Sequence, residues 1–129
     1  EQTLDLTEAI DLSRASTLGE RRPVDDRERM GRMLANAKLI VTARLEGRLV
    51  GIARSVTDWS YCTYLSDLAV DLVVQRKGIG RELIRQTREA APQASLILLA
   101  APKAVDYYPK LGFTRHDSAW VLRPGDELR

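Results

Sequence analysis

Gln75-Arg76-Lys77-Gly78-Ile79-Gly80-Arg81 (QRKGIGR) joins an apolar run, LAVDLVV, to IGRELIRQTREAA, whose apolar residues recur at helical spacing. Gly78 and Gly80 remove the Cβ atoms that would hold a ligand off the backbone, and a helix that starts here opens with unpaired amides and a positive dipole end. That combination is an anion site, and a phosphate-bearing ligand suits it. Arg76, Lys77 and Arg81 add positive charge around it. A helix entry that uses glycine only for packing would show the same spacing. Two familiar phosphate loops do not fit: there is no GxxxxGK followed by Ser or Thr, and Leu83 stands where a dinucleotide fingerprint needs its third glycine.

The other reactive residues are few. His116 is the single histidine and Cys62 the single cysteine, which excludes an internal disulfide and leaves too few soft ligands for zinc. No metal is expected. His116, Ser66 and Asp67 do not make a hydrolase triad, because no GxSxG elbow is present and they fall on separate or differently facing segments. Cys62 reads as a small packing residue.

At 129 residues, 44% hydrophobic and 29% charged, the chain is expected to be one soluble globular domain, residues 1–129. Twenty Lys and Arg against eighteen Asp and Glu are interleaved, as in GERRPVDDRERMGRM. That pattern describes a solvated face and not a nucleic-acid footprint, so no nucleic-acid partner is expected. The longest apolar run, LILLAA, is far too short to span a bilayer, and no signal peptide opens the chain, so no membrane partner and a cytoplasmic location are expected. The chain begins with Glu1 and not Met, which leaves room for native residues ahead of it.

The elements that would position the glycine turn follow from periodicity. Residues 4–18 read as an amphipathic helix capped by Thr7 or Asp5, and residues 25–37 as a second helix with Met30, Met33, Leu34 and Ala37 on one face. LGERRPV lies between them as a loop. KLIVTARLEGRLVGIARSVTD reads as a hairpin turning at Glu46-Gly47, and TYLSDLAVDLVV as a third strand buried on both faces at its end. The helix after the glycine turn stops at Pro92. SLILLAA reads as a continuous strand, KAVDYYPKL as a short helix broken near Pro109, and GFTRHDSAWVLR as a final extended segment or hairpin. A strand, a helix and another strand in succession imply a right-handed crossover and a parallel pair within a mixed sheet.

QRKGIGRELI after LSDLAVD resembles the acetyl-CoA-binding motif of the GNAT superfamily of N-acetyltransferases: Arg or Gln, two residues, Gly, any residue, then Gly or Ala. YYPKLGF at 107–113 resembles that superfamily's second signature, an aromatic-Tyr pair followed by Leu-Gly-Phe. The element order matches across nearly the whole chain, except that the family's first strand has no counterpart before Leu4. The resemblance implies an α/β (α+β) fold of one domain, a mixed central sheet with helices on both faces and the N-terminal strand missing.

It also implies a function, an N-acetyltransferase that moves the acetyl group of acetyl-CoA to a primary amine of a small molecule or protein by direct attack in a ternary complex. Acetyl-CoA would be the cosubstrate. Gln75, Arg76, Lys77, Gly78, Ile79, Gly80 and Arg81 would hold its pyrophosphate, and the strand at Leu68, Ala69 and Val70 would pair with its pantetheine arm and meet the oxyanion. Tyr108 would be the general acid that protonates the departing thiolate. For the base the third strand offers Asp67, directly or through water, although alternation sets it on the face opposite Tyr64 and Ser66 unless a bulge intervenes. Ala101 stands where many family members carry Asn, which removes one hydrogen bond.

Arg21 and Arg22, in the loop between the first two helices with Glu20 and Asp25, are expected to read the acceptor's charge, and Tyr64 and Ser66 to line its site. Two other readings stay open: a non-catalytic acyl-CoA-binding regulatory module, and an interaction domain that docks an acidic partner through LGERRPVDDRER. The exposed edge of a mixed sheet is compatible with a homodimer.

Overall fold

The hairpin at Glu46-Gly47 forms as the sequence predicts. In the computed structural model, which describes residues 4–129, β1 (Leu39–Leu45) runs antiparallel to β2 (Arg48–Thr57), from Leu39 opposite Ser55 to Leu45 opposite Arg48. Glu46 and Gly47 take φ of 52° and 81°. Two consecutive left-handed residues match the twist of the strands they join. β3 (Cys62–Val70) pairs antiparallel with β2, and β4 (Ser95–Ile97) parallel with β3, so the sheet is mixed, in the order β1-β2-β3-β4. Between β2 and β3 the Asp58 carboxylate accepts the N–H groups of Tyr61, Ser60 and Cys62 at 2.8, 3.0 and 3.1 Å. These donors, Tyr61 foremost, hold its carboxyl below the usual range.

Helices cover both faces, as neighbouring residues of β2 demonstrate. A Cβ on Gly51 would lie 3.0 Å from Leu83 and 3.1 Å from Ile79, so this side of the strand carries α3 (Ile79–Ala90). Ile52 points the other way and packs with Leu12, Leu18, Leu49 and Ala69, the core beneath α1 (Leu6–Ala15). α2 (Arg27–Ala35) lies beside α1 on that side, its Met30 buried. α3 buries Leu83, Ile84 and Thr87 and exposes Arg81, Glu82, Arg85, Arg88 and Glu89. That stripe of three faces the sheet at the spacing an amphipathic helix requires.

Several element boundaries differ from the expectation. The first helix ends at Ala15 and not at Leu18, because Ser16 is extended and caps a separate 3-10 turn, Thr17–Arg21, by accepting the Leu18 N–H. Asp5, not Thr7, caps α1, and Asp26 caps α2. The third strand stops at Val70. Asp71 accepts the Val73 N–H and starts a 3-10 turn, Leu72–Val74, which leaves Leu72 and Val73 exposed where burial on both faces was expected. SLILLAA is not a continuous strand: only Ser95–Ile97 pairs, with Cys62, Thr63 and Tyr64. The N-terminal strand position before Leu4 lies outside the described residues.

The described chain divides into two compact units, one ending at Leu99 and one beginning at Ala100. In the second, a 3-10 turn at Pro102–Ala104 precedes α4 (Tyr107–Lys110). Pro109 does not break this helix. It occupies the first turn, where a backbone N–H has no partner four residues back. The closing segment forms no strand. Residues 114–129 carry turns, one of them fixed by the Asp126 carboxylate accepting the Arg123 N–H at 2.8 Å.

Candidate active site

β3 and β4 share three residue pairs and then part, with Tyr64 opposite Ile97 the last of them. Asp71 N–H donates to the Val50 carbonyl at 2.9 Å, which makes Asp71 and Val50 a hydrogen-bonded pair. Pairs of this kind recur every second residue, so Ala69, opposite Ile52, also turns its backbone groups to β2. Leu68 and Val70 turn theirs to the other edge, where β4 no longer pairs. Of the three strand residues expected to bind an extended arm, Leu68 and Val70 therefore present their backbone, whereas Ala69 is tied to β2 and buries its side chain in the core. The Val70 carbonyl already accepts from the Gln75 side chain at 2.9 Å.

That open edge runs directly into the glycine turn. Arg48 pairs with Asp71 at 2.9 Å and fixes the exit from β3. Arg76 and Gly78 take φ of 67° and 82°, reversing the chain twice before α3 begins. Gly78 is the N-cap residue, with no side chain to cap the helix, and its carbonyl accepts the Glu82 N–H at 3.1 Å. The amides of Ile79, Gly80 and Arg81 in the first turn consequently have no helical acceptor. A Cβ on Gly78 would have open space around it, so the glycine serves the left-handed backbone and not a crowded neighbour. Arg76, Lys77 and Arg81 are exposed and make no ion pair among the described residues. Three amides, a dipole end and three cations fit a pyrophosphate.

Tyr64 and Asp67 share one face of the sheet. Tyr64 pairs with Val56 and Asp67 with Arg54, two positions apart on β2, because Ser66 is an extra residue that bulges from β3 between Leu65 and Asp67. The bulge sets aside the simple alternation that separated these side chains. Asp67 is 6% exposed. Its Oδ1 accepts from Arg22 Nε at 2.7 Å and its Oδ2 from Arg54 Nε. Arg22 Nη2 also donates to the Ser66 carbonyl at 2.7 Å, and Arg54 Nη2 to Ser66 Oγ at 3.0 Å. Both carboxylate oxygens of the candidate base thus point at guanidinium groups, and Arg22 reaches inward while Arg21 stays exposed.

Arg54 was missed from the sequence, though it had a signal. A lone arginine inside the apolar strand LVGIARSV must be paired if it is buried, and it is 8% exposed.

In the second unit, Tyr108 belongs to a tightly defined helix end. Phe113 N–H donates to the Tyr108 carbonyl at 3.2 Å and Gly112 N–H to that of Pro109 at 3.1 Å, with Gly112 at φ of 99°. This is a Schellman cap, and its usual apolar contact is made by Tyr108 and Phe113. The spacing of YYPKLGF is the spacing such a cap demands. His116 Nδ1 accepts the Ser118 N–H at 3.1 Å in this same unit.

The fold is shared with known proteins. A GCN5-related N-acetyltransferase from the chloroplast of Arabidopsis thaliana is 32% identical over 71 residues, 53% of this chain and 28% of that protein. The chain spans 28%, 41% and 51% of the length of three curated relatives that it matches. A GNAT family acetyltransferase structure from Streptococcus pneumoniae superposes with a TM-score of 0.77 at 23% identity, over 95% of each chain. An aminoglycoside 6′-N-acetyltransferase complexed with coenzyme A superposes with a TM-score of 0.66 at 18% identity, over 83% of this chain and 77% of that one. The sequence profile of the acetyltransferase (GNAT) domain matches residues 14–122, and the chain belongs to that family.

Proposed function

We propose that the protein is an acetyl-CoA-dependent N-acetyltransferase, its residues 1–129 acting as one catalytic domain in a cytoplasmic setting. The observation that carries this reading is the continuity of the open β3 edge at Leu68 and Val70 with the unpaired amides of residues 79–81. An extended arm ending in a pyrophosphate matches both in order. The similar aminoglycoside acetyltransferase structure with coenzyme A supports the choice of ligand.

Acetyl-CoA supplies an activated thioester. The acceptor amine, once neutral, bonds to the acetyl carbon, the C–S bond breaks, the amine gives up a proton and the thiolate takes one. The Leu68 N–H, on the edge that faces away from β2, would meet the developing oxyanion. Tyr108 supplies the thiolate's proton, as the family signature implies. Water takes the amine's proton, since a base needs an oxygen aimed at the acceptor and both of Asp67's are aimed at arginines. Exposed Arg21 in the 17–24 loop, with Tyr64 and Ser66 on β3, contacts the acceptor, a primary amine of a small molecule or protein.

Gly80→Asp places a carboxylate among the first-turn amides. Calorimetry should show loss of coenzyme A affinity in a folded variant, and thiol release from acetyl-CoA with an amine panel should fall with it. Unchanged affinity would refute the pyrophosphate site. Binding by the unaltered protein without thiol release would leave an acyl-CoA-binding module.

A further inference from the structure

One carboxylate ties four segments together. Asp67 on β3 accepts from Arg22, which follows the Thr17–Arg21 turn, and from Arg54 on β2. Arg54 Nη1 donates onward to the Met33 carbonyl in α2 at 3.2 Å. Arg22 Nη1 donates back to the Arg21 carbonyl at 2.9 Å, which stiffens its own loop. The two arginines are not equivalent. Arg54 is rooted in the middle of a central strand, whereas Arg22 is the only side chain of residues 17–24 with a hydrogen bond to β3 among the described residues.

We propose that Arg22 is a positioning residue, a latch that holds the 17–24 loop beside the Ser66 bulge, with Asp67 as its seat. Arg54 makes the seat permanent. A buried carboxylate that loses its single partner is costly, so a loop held by a lone ion pair would be locked in place. Here withdrawal of Arg22 leaves Asp67 still paired with Arg54, and no buried charge is stranded. The end of the loop that carries Arg21 and Arg22 can therefore lift from the face of β3 that carries Tyr64 and Ser66 and settle back, hinged on Leu18, which stays packed against Ile52 and Ala69. This rests on the acetyltransferase reading for what the latch serves: docking holds Arg21 at a fixed place for the acceptor while the coenzyme A site, on the glycine turn, is untouched.

Hydrogen exchange of the full chain tests the latch without reference to activity. Arg22→Ala should speed exchange of the amides at 17–24 by about tenfold or more, with β2 and α3 unchanged. Arg22→Lys, which keeps the charge but cannot bridge Asp67 and the Ser66 carbonyl together, should restore protection in part. Asp67→Asn, which strands two guanidinium groups, should loosen β2 and α2 as well. Unchanged exchange at 17–24 in Arg22→Ala, or an equal rise everywhere, overturns the proposal. Steady-state kinetics then reads its purpose, using whichever primary amine the unaltered protein acetylates fastest. Arg22→Ala should raise the acceptor KM and leave that for acetyl-CoA in place, and equal effects on both would overturn the assigned role. Failure of the acetyltransferase reading shows itself separately, as absent thiol release in the unaltered protein.

Discussion

Phe113 stands edge-on to Tyr108, their ring centroids 5.5 Å apart and their planes at 74°. The helix cap that places Phe113 therefore also orients the phenol, and Tyr107 meets the same ring at 5.3 Å and 71°. Tyr108→Phe keeps this packing and removes only the hydroxyl. Turnover should fall by about 10²-fold, the low end for general acid catalysis, because a thiolate leaves readily. Fold and coenzyme A affinity should persist. Rate against pH checks the role: the unaltered protein should lose activity at high pH as the phenol ionises, and the variant should lack that limb. Full turnover with the limb retained would make Tyr108 a packing residue.

Gly51 sets how closely α3 approaches the sheet, since a Cβ there would already press on Leu83, Ile79 and Ala43 at 3.0 to 3.2 Å. Gly51→Val should cost roughly 1–3 kcal/mol through overpacking. Urea denaturation measures that loss. Because Ile79 opens the helix beneath the glycine turn, coenzyme A affinity should weaken in the same variant, and a stable protein with full affinity would show that the helix moves freely.

Arg21 differs from Arg22 in facing solvent. Arg21→Ala should change the acceptor's apparent affinity by about two- to five-fold, the scale of one exposed charge, and leave that of acetyl-CoA alone. Paired KM measurements decide it. Parallel changes in both would describe a merely solvated loop.

Glu82, in the first turn of α3, is held at about 2 by hydrogen bonds from Arg85 and then Gln86. A carboxyl lowered on folding adds stability above its ordinary value of 4.5, and that contribution is lost as pH falls through about 2. Carboxyl NMR titration should find Glu82 charged well into the acid range. In Arg85→Ala its midpoint should climb toward 4.5. A midpoint that stays low would assign the effect to Arg81 and the helix dipole.

The glycine turn was legible because it is local, written in residues that lack a Cβ and open a helix, whereas Tyr-Pro-Lys-Leu-Gly-Phe was legible as a family signature and not as the helix cap it forms. Element order as far as the last helix was legible for a similar reason, through period and turn chemistry, and the two-sided sheet through the family resemblance. What was hidden depends on partners distant in sequence. Leu98 to Ala101 are apolar enough for a strand, yet strand formation needs a neighbour, and β4 leaves β3 after Ile97. The partners of Asp67 were hidden because nothing near it in the chain announces Arg22, 45 residues away, or Arg54 across the ladder. The inward contacts of Arg22 were hidden for the same reason.

The extra residue in β3 acts as a phase inversion along one strand. Thr63 and Leu65 answer to the layer that holds α3, whereas Asp67 and Ala69 answer to the layer that holds α1, and only Ser66 separates the two regimes. Substitutions at Ser66 leave that inversion in place. Loss of the bulge with the residue kept would not: with continuous alternation from Cys62 to Val70, either Tyr64 would be driven toward α3 or Asp67 would be turned away from both arginines. The bulge in this strand, more than the identity of any side chain on it, is what keeps a tyrosine and an anchored carboxylate on one surface.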